Sequence, residues 1–395
     1  MQGSQATDSY DAAIIGTGPA GANAAYQCSK LGLKTAVFEE HKVAGEPVHC
    51  GECLSDLCIQ KFLPSLPKSA ISLPVKGIRV IFPDKTSTVL NEPGVVLEKH
   101  KFEQYLSDEA EKLNANYFYS TRVSAMEFGN GGWTINSDSK SFKSKIVIDA
   151  SGVAQAGSRL ANLGQKSETV LGAQFEMDDI PQDGYIDFYL WPRLAPHGYL
   201  WMIPKSDGRA NVGLVTTDKP KIKAYLDQFV KEMGWQDKKI AKAFGGLIPC
   251  SGPLPATYSD GLMLIGDAAG FTSPMFEGGT HLSISSGNMA AKVAKKAIDS
   301  GDNSKRALAE YENLWRAEFP DYKTLIVGKD ALYSYSDNEL NQIVHAMGPD
   351  LTHLGFLGKA KFAVKIAAAN PGLYGKKLIK AMNAFAYSQA KFYGW

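Results

Sequence analysis

A chain of 395 residues with 44% apolar and 21% charged content is long enough for two interlocked domains around a large core, and its composition excludes intrinsic disorder. Forty-two basic against forty-one acidic residues leave a formal charge of +1, so no global field points to nucleic acid or to an acidic partner. Five cysteines, a polar start "MQGSQATDSY" and the lack of an apolar run of about 18 residues indicate a reducing, cytoplasmic setting with membrane contact at most peripheral.

In chain order, "DAAIIGTGPAGANAAYQCSKLGLKTAVFEE" reads as a strand (Ala12 to Ile15), a glycine turn, an alanine-rich helix to about Lys30 and a second strand (Thr35 to Phe38) ending at Glu39. This is one βαβ unit. Gly16 permits the tight turn, Gly18 lets the backbone approach a pyrophosphate, and Gly21 lets helix and strand pack. The helix start, with Ala20, offers free N–H groups to phosphates, and Glu39 stands where it can take ribose hydroxyls. The pattern predicts a dinucleotide site without separating NAD from FAD. No second GxGxxG follows a strand, so a dedicated NAD(P)H domain is not expected.

"GEPVHCGECL" follows, with Cys50 and Cys53 two residues apart. A zinc clip needs about four ligands, and neither the other cysteines (Cys28, Cys58, Cys250) nor the histidines form a second CxxC or HxxxH, so no metal is expected. A redox dithiol favours a helix N-terminus after a strand, whereas the pair reads as part of a loop. The remaining reading is a wall beside a cofactor. Next comes a helix and strand in "VLEKHKFEQYLSDEAEKLNANYFYSTRV", then an apolar strand in "IVIDASG". "GYIDFYLWP" and "RANVGLV" predict an antiparallel sheet between Leu160 and Pro255, to which Ala70 to Val96 adds strands. In "APHGYLWMIPK" alternation puts Tyr199, Trp201 and Ile203 on one face, either as a core strand or as a wall for a hydrocarbon chain. "GLMLIGDAAGFTSPMFEGG" is another strand running through Asp267 into small residues. The last ninety residues are helical, broken at Asn370-Pro371-Gly372, and form either a solvated helix pair or a basic amphipathic surface for anionic lipid. His49, His197 and His281 lie near motifs and are read as structural.

Taken together, "IVIDASG" and the Asp267 segment resemble the second and third fingerprints of the FAD-binding fold shared by aromatic hydroxylases, flavin halogenases and geranylgeranyl reductases. The resemblance implies that Asp267 bonds the ribityl chain, and that the N-terminus of the helix after it, with Gly279 and Thr280, lies near the flavin and pyrophosphate. "PVHCGECL" resembles the PxxCGE loop of the archaeal geranylgeranyl and digeranylgeranylglycerophospholipid reductases. That places Cys50 and Gly51 beside the isoalloxazine, with Cys53 where the family more often has glycine. Tyr199, Trp201 and Pro204 match a YxWxFP motif that would line a prenyl pocket, Ile203 replacing phenylalanine. In the RxxFDxxL motif Lys99 takes the arginine position and Glu103 the aspartate, which makes the lysine's cofactor contact looser than a guanidinium fork. Val123 falls where backbone meets adenine.

The fold class implied is α/β: an FAD-binding Rossmann-like domain (1–70, 97–160, 256–304) interleaved with an antiparallel-sheet substrate domain (71–96, 161–255), plus a helical C-terminal region (305–395). The activity implied is FAD-dependent reduction of C=C bonds in polyprenyl lipids. Cys50 is the candidate proton donor or guard of the flavin face, a bound water being the alternative donor. The electron donor would be reduced ferredoxin, a deazaflavin or NAD(P)H. The competing resemblance is to a flavin halogenase or hydroxylase, since "GYLWMIP" is close to the halogenase GWxWxIP; a halogenase needs a lysine over a channel, for which Lys99 and Lys205 are the candidates. Quinone-reducing electron-transfer flavoproteins carry a cysteine-rich segment near the C-terminus, and no cysteine follows Cys250.

Overall fold

The strand Ser9–Ile15 is the spine of a parallel sheet, with Thr35–Phe38 and then Asn116–Phe118 on one side and Ser141–Asp149 and then Leu262–Leu264 on the other. Covered on both faces, these strands need continuous apolar runs, and Ala12, Ala13, Ile14, Ile146, Val147 and Ile148 are all fully buried. This computed structural model describes residues 8–352 except 139, and beyond them 362, 364–368, 370, 372, 373 and 375–392. Most of the polar start and parts of the basic C-terminal stretch, Pro371 included, lie outside the described residues.

Helix Pro19–Lys30 leaves the spine as expected. A Cβ on Gly21 would lie 1.9 Å from the Gly16 carbonyl oxygen, which makes that glycine a condition of helix–strand packing. The same helix packs against Lys99–Lys112 and against Thr280–Ser300, where Gly287 comes close to the Ala20 carbonyl.

Over this lies a seven-stranded sheet in the order Ile240–Pro249, Thr169–Met177, Ala210–Thr216, Tyr199–Pro204, Tyr185–Tyr189, Gly77–Ile81, Ser87–Leu90. It is antiparallel except where Tyr185–Tyr189 pairs in parallel with Gly77–Ile81. Helix Ile222–Glu232 covers its outer face through Leu226 and Phe229, against Leu200, Met202 and Leu214. The expected contribution of Ala70 to Val96 is only half met. Gly77–Ile81 and Ser87–Leu90 join this sheet, but Gly94–Leu97 pairs with Ile71–Val75 on one side and Cys53–Ser55 on the other in a separate three-stranded sheet. The chain turns between the two sheets at Gly77, whose φ of 154° and close approach to the Leu90 carbonyl exclude a side chain.

The C-terminal helices are bound into the body of the protein. Val89 on the sheet edge donates to the Pro349 carbonyl and accepts from Leu351, both at 2.9 Å, and helix Tyr322–Tyr333 packs on Lys376–Ala386 at Gly328. A Cβ at Gly328 would lie 2.0 Å from the Ala384 Cβ and 2.6 Å from the Lys380 carbonyl oxygen. Gly328→Ala is therefore expected to cost about 1–3 kcal/mol by overpacking, read as a lowered urea midpoint with the parallel sheet's far-UV signature intact.

Candidate active site

At the carboxyl ends of the parallel strands a groove of about 450 Å³ runs past Gly16, Gly18, Glu39, Lys99, Val123 and Ser151. Gly16 sits at φ 93°, with its α-carbon so near Ala150 that a Cβ would approach that carbonyl to 2.6 Å. A Cβ on Gly18 would meet nothing within 4 Å, so this backbone faces the open groove. Ala20 and Gly21 stand behind it, Ala20 buried under Gly266 and Gly21 on Gly16. The Glu39 carboxylate accepts from Thr17 N and Oγ1, both at 3.0 Å, and from His41 N at 2.9 Å, so it is held at the strand end with the glycine turn wired to it.

The Lys99 ammonium lies 2.8 Å from Glu103 Oε1. Burial alone would lower its pKa, but the surrounding Cys50, Glu103 and Glu52 outweigh burial and hold the charge. Asp149 accepts from the N–H groups of Ser151 (3.1 Å) and Gly157 (2.8 Å), which shapes the groove's far bank. The expected helix after Asp267 is present, with Gly279 and Thr280 at its start. Gly266–Ala269 is a single 3-10 turn ended by Gly270 at φ 77°, and the long helix starts at Thr280. The intervening loop returns to set Gly279 beside Asp267, whose Oδ1 accepts from Thr272 Oγ1 at 2.7 Å. Burial raises the Asp267 pKa, opposed by Thr272 and Lys99.

The groove opens at His49 into a chamber of about 180 Å³. One wall is Cys50, Gly51 and Cys53; facing it are Tyr199, Trp201 and Ile203, and Gly279 and Thr280 close one end. Gly51 presses so close to Ile203 that a Cβ would approach its Cδ1 to 2.9 Å. Trp201 Nε1 donates to Gln174 Oε1 at 2.7 Å, and Gln174 Nε2 donates to the Cys50 carbonyl at 3.2 Å, so one amide ties both walls. The rings of Phe188, Tyr199 and Phe276 have centroids 5.2–5.4 Å apart. Pro204 is not brought into the chamber: it follows Ile203 and alternation turns it to the other face. Beyond Phe276 and Phe188, a second apolar chamber of about 790 Å³ extends under the same sheet, lined by Val80, Leu190, Ile343 and Phe385 among others.

Cys50 and Cys53 are free thiols. The expectation of a loop holds for Cys50 only; Cys53 opens the strand Cys53–Ser55, which pairs with Val96 and leads into helix Asp56–Phe62. Burial, reinforced by Cys50 and Glu52 and opposed by Lys205, pushes the Cys53 thiol well up, which keeps it protonated. His281 is buried and pushed down to about 4, chiefly by burial, so it is neutral at physiological pH. Among the described residues no group of three or more His, Cys, Asp or Glu is arranged to hold a metal ion.

Glu52, quoted in the CGE motif but not singled out from sequence, organises the loop. At φ 73° it sends its carboxylate inward: Oε2 accepts from Lys205 Nζ (2.6 Å) and Asn211 Nδ2 (2.7 Å), and Oε1 from Lys99 N (2.9 Å). Its own N–H donates to Cys50 Sγ at 3.2 Å. Lys205 lies 3.3 Å from Glu98 as well; burial raises the Glu98 pKa, but Arg209, Ser72 and Lys205 bring it down to about 2. The roles of Gln174, Asn211 and Lys205 carry no local signal, because Gln174 and Asn211 lie on different strands and Lys205 just past the end of a third, and they meet only in the assembled sheet.

The parallel sheet with its glycine-lined groove, opening into a roofed aromatic chamber, defines a dinucleotide-dependent oxidoreductase. The family profile described as geranylgeranyl reductase catalytic domain matches residues 168–248, and one described as NAD(P)-binding Rossmann-like domain matches residues 14–53. Curated relatives include a digeranylgeranylglycerophospholipid reductase of Methanocaldococcus jannaschii, 33% identical over 94% of this chain and 99% of that protein, and one of Thermoplasma acidophilum, 33% identical over 85% and 91%. This chain belongs to the digeranylgeranylglycerophospholipid reductase family. Among solved structures, a geranylgeranyl bacteriochlorophyll reductase-like protein of Thermoplasma acidophilum aligns with TM-score 0.84 and 31% identity over 93% of this chain and 98% of that one. A flavin-dependent brominase shares the fold at TM-score 0.71 and 17% identity, over 95% and 98%.

Removing one partner of a buried ion pair leaves the other charge stranded, at about 3–5 kcal/mol. Glu52→Ala is expected to lose stability on that scale by urea unfolding, while the pair Glu52→Gln with Lys205→Met recovers most of it; an additive double-mutant cycle would contradict the coupling.

Proposed function

We propose that the protein uses FAD to reduce C=C bonds in the geranylgeranyl chains of isoprenoid lipids, as part of phospholipid biosynthesis. The observation that carries this reading is the junction at His49: a polar groove with an unobstructed glycine backbone meets a chamber walled by aromatic and aliphatic side chains. The residues fit FAD. Gly16 and Gly18, with the start of helix Pro19–Lys30 at Ala20 and Gly21, would take the pyrophosphate, Glu39 the ribose, Val123 the adenine, Lys99 and Asp267 the ribityl and phosphate oxygens, and Gly279 and Thr280 the flavin pyrimidine. In this reading residues 1–70, 97–160 and 256–304 serve the cofactor and 71–96 and 161–255 the substrate, while the helical region 305–395 supplies Ile343, Phe362 and Phe385 to the second apolar chamber.

When bound, reduced FAD supplies a hydride. The protein's part is placement, because an isolated alkene has no carbonyl on which to hold developing charge. Tyr199, Trp201 and Ile203 hold the chain flat against the Cys50–Gly51 wall, and the second chamber takes the length the first cannot. Pro204 ends that strand and keeps Lys205 in register with Glu52. Cys50, its sulfur held by the Glu52 N–H, stands at the cofactor face and guards it, with Cys53 behind it. The electron donor is reduced ferredoxin, a deazaflavin or NAD(P)H, and a lipid substrate brings the protein to the membrane surface as a peripheral visitor; among the described residues no helix is long and apolar enough to cross a membrane. Against a halogenase, both candidate lysines are engaged, Lys99 with Glu103 and Lys205 with Glu52, and neither lines the chamber.

The test is anaerobic: reduce the holoenzyme with dithionite, add geranylgeranyl lipid, and follow flavin reoxidation together with product mass. Gain of two hydrogens per flavin oxidised is the expected result; a flavin that reoxidises only on admission of oxygen, with lipid unchanged, would overturn it. Gly18→Ala should fold normally, since its Cβ has room, but retain flavin poorly. Cys50→Ala should retain flavin and lose about tenfold in rate, equivalent to ~1.4 kcal/mol of positioning. A loss of about 100-fold or more would make Cys50 the acid instead.

A further inference from the structure

Glu277 is a chamber residue that the account above leaves idle. It lies in the loop closed by the Ser273 N–H donating to the Gly278 carbonyl at 2.8 Å, and its φ of 49° is uncommon for a residue with a side chain. The residue lines the same chamber as Tyr199, Trp201 and Cys50. Although the residue as a whole is only half-buried, its Oε2 is shut from solvent and has no hydrogen-bond partner. A carboxylate in that position is heavily penalised, and a buried acid escapes the penalty by keeping its proton.

The groups that face it leave it neutral. Tyr199, Tyr333 and Cys250 are each pushed up chiefly by burial and carry no charge near neutrality. The Tyr333 hydroxyl donates to the Met275 carbonyl at 2.7 Å, whereas the Tyr199 hydroxyl, which donates to the Phe276 carbonyl at 2.8 Å, also lies within hydrogen-bonding reach of the Glu277 carboxyl. Lys329 acts on Glu277 as a cation and donates to the Cys250 carbonyl at 3.4 Å. Burial outweighs Lys329 and Tyr199 and brings Glu277 up to about 8, so it holds a proton at pH 7.

We propose that Glu277 is the proton donor for alkene reduction, giving its carboxyl proton to one carbon of the double bond while the other receives hydride. This deepens the prenyl-reductase reading and rests on it. The step balances: the π bond, the carboxyl O–H bond and the reduced flavin's bond to the transferred hydride break, two C–H bonds form, and the flavin is left oxidised. The two electrons come from the reduced flavin, and Glu277 is left as a carboxylate to be reprotonated from water. The rings of Tyr199, Trp201 and Phe276 around the site favour positive charge building on the more substituted carbon.

Infrared spectra of oxidised holoenzyme, wild type against Glu277→Gln, give a readout independent of turnover. A protonated-carboxyl C=O band is expected at pH 7, lost in the variant and lost in wild type as pH rises through about 8. In single turnovers with pre-reduced enzyme, Glu277→Gln should retain flavin and lipid affinity and lose about 10²–10⁴-fold in alkene reduction. The wild-type rate should fall as pH rises through about 8, because the acid form is the active one, and this limb should vanish in the variant. Glu277→Asp should restore part of the rate. Wild-type speed in Glu277→Gln, persistence of the alkaline limb there, or a folded, flavin-loaded Glu277→Asp without restoration would overturn the assignment alone. A wild-type enzyme that leaves the alkene untouched would overturn the reductase reading and this assignment with it.

Discussion

The buried contact between Glu52 and Lys205 is the constraint on which the site depends. Both side chains are about 2% exposed, so each charge is viable only while the other is present. The Glu52 carboxylate also accepts from Asn211 in a neighbouring strand and from the backbone N–H of Lys99, and Glu52 N–H donates to Cys50 Sγ. One carboxylate thereby joins the cysteine wall, the helix that borders the groove and two strands of the roof. A well-packed apolar substitute would be about as stable, but it would not fix direction; the ion pair's contribution is to set where Cys50 and Gly51 stand relative to Tyr199 and Trp201.

From that fixed junction two environments diverge. The groove offers backbone N–H groups, Glu39 and Lys99, which suit a charged dinucleotide. The chamber offers aromatic faces and aliphatic side chains, and the polar ends of its aromatic wall are turned inward: Trp201 to Gln174 and Tyr199 to the Phe276 carbonyl. The aromatic hydroxyl and indole N–H are thus satisfied without reaching into the cavity, which leaves a dry lining. Phe276, stacked on Phe188 and near Phe385, divides this chamber from the larger apolar one under the sheet, so ring rotation there would govern how far a long chain can slide. Glu277 follows Phe276 directly in the loop, which couples the proposed acid to that partition.

Much of the frame was legible from local pattern. Continuous apolar runs marked the parallel strands, Gly16, Gly18 and Gly21 marked the turn, and alternation correctly put Tyr199, Trp201 and Ile203 on one face. Other expectations failed where position depends on distant pairing. Cys53 looked like loop because the strand that makes it a strand, Gly94–Leu97, lies about forty residues on. Pro204 belonged to a motif, yet a period of two sends it away from its neighbours.

By itself the sequence determined the βαβ unit, the glycine turn and the chemical types along each wall, because these follow from spacing within a few residues. Only the tertiary structure decided which polar groups are buried together. Burial and partner distance are properties of the assembled sheets: Glu52 meets Lys205, 153 positions away, and the Glu277 Oε2 is shut from solvent without a hydrogen-bond partner when the roof closes. The charge state of a carboxyl follows from that desolvation, which no local pattern of residues contains.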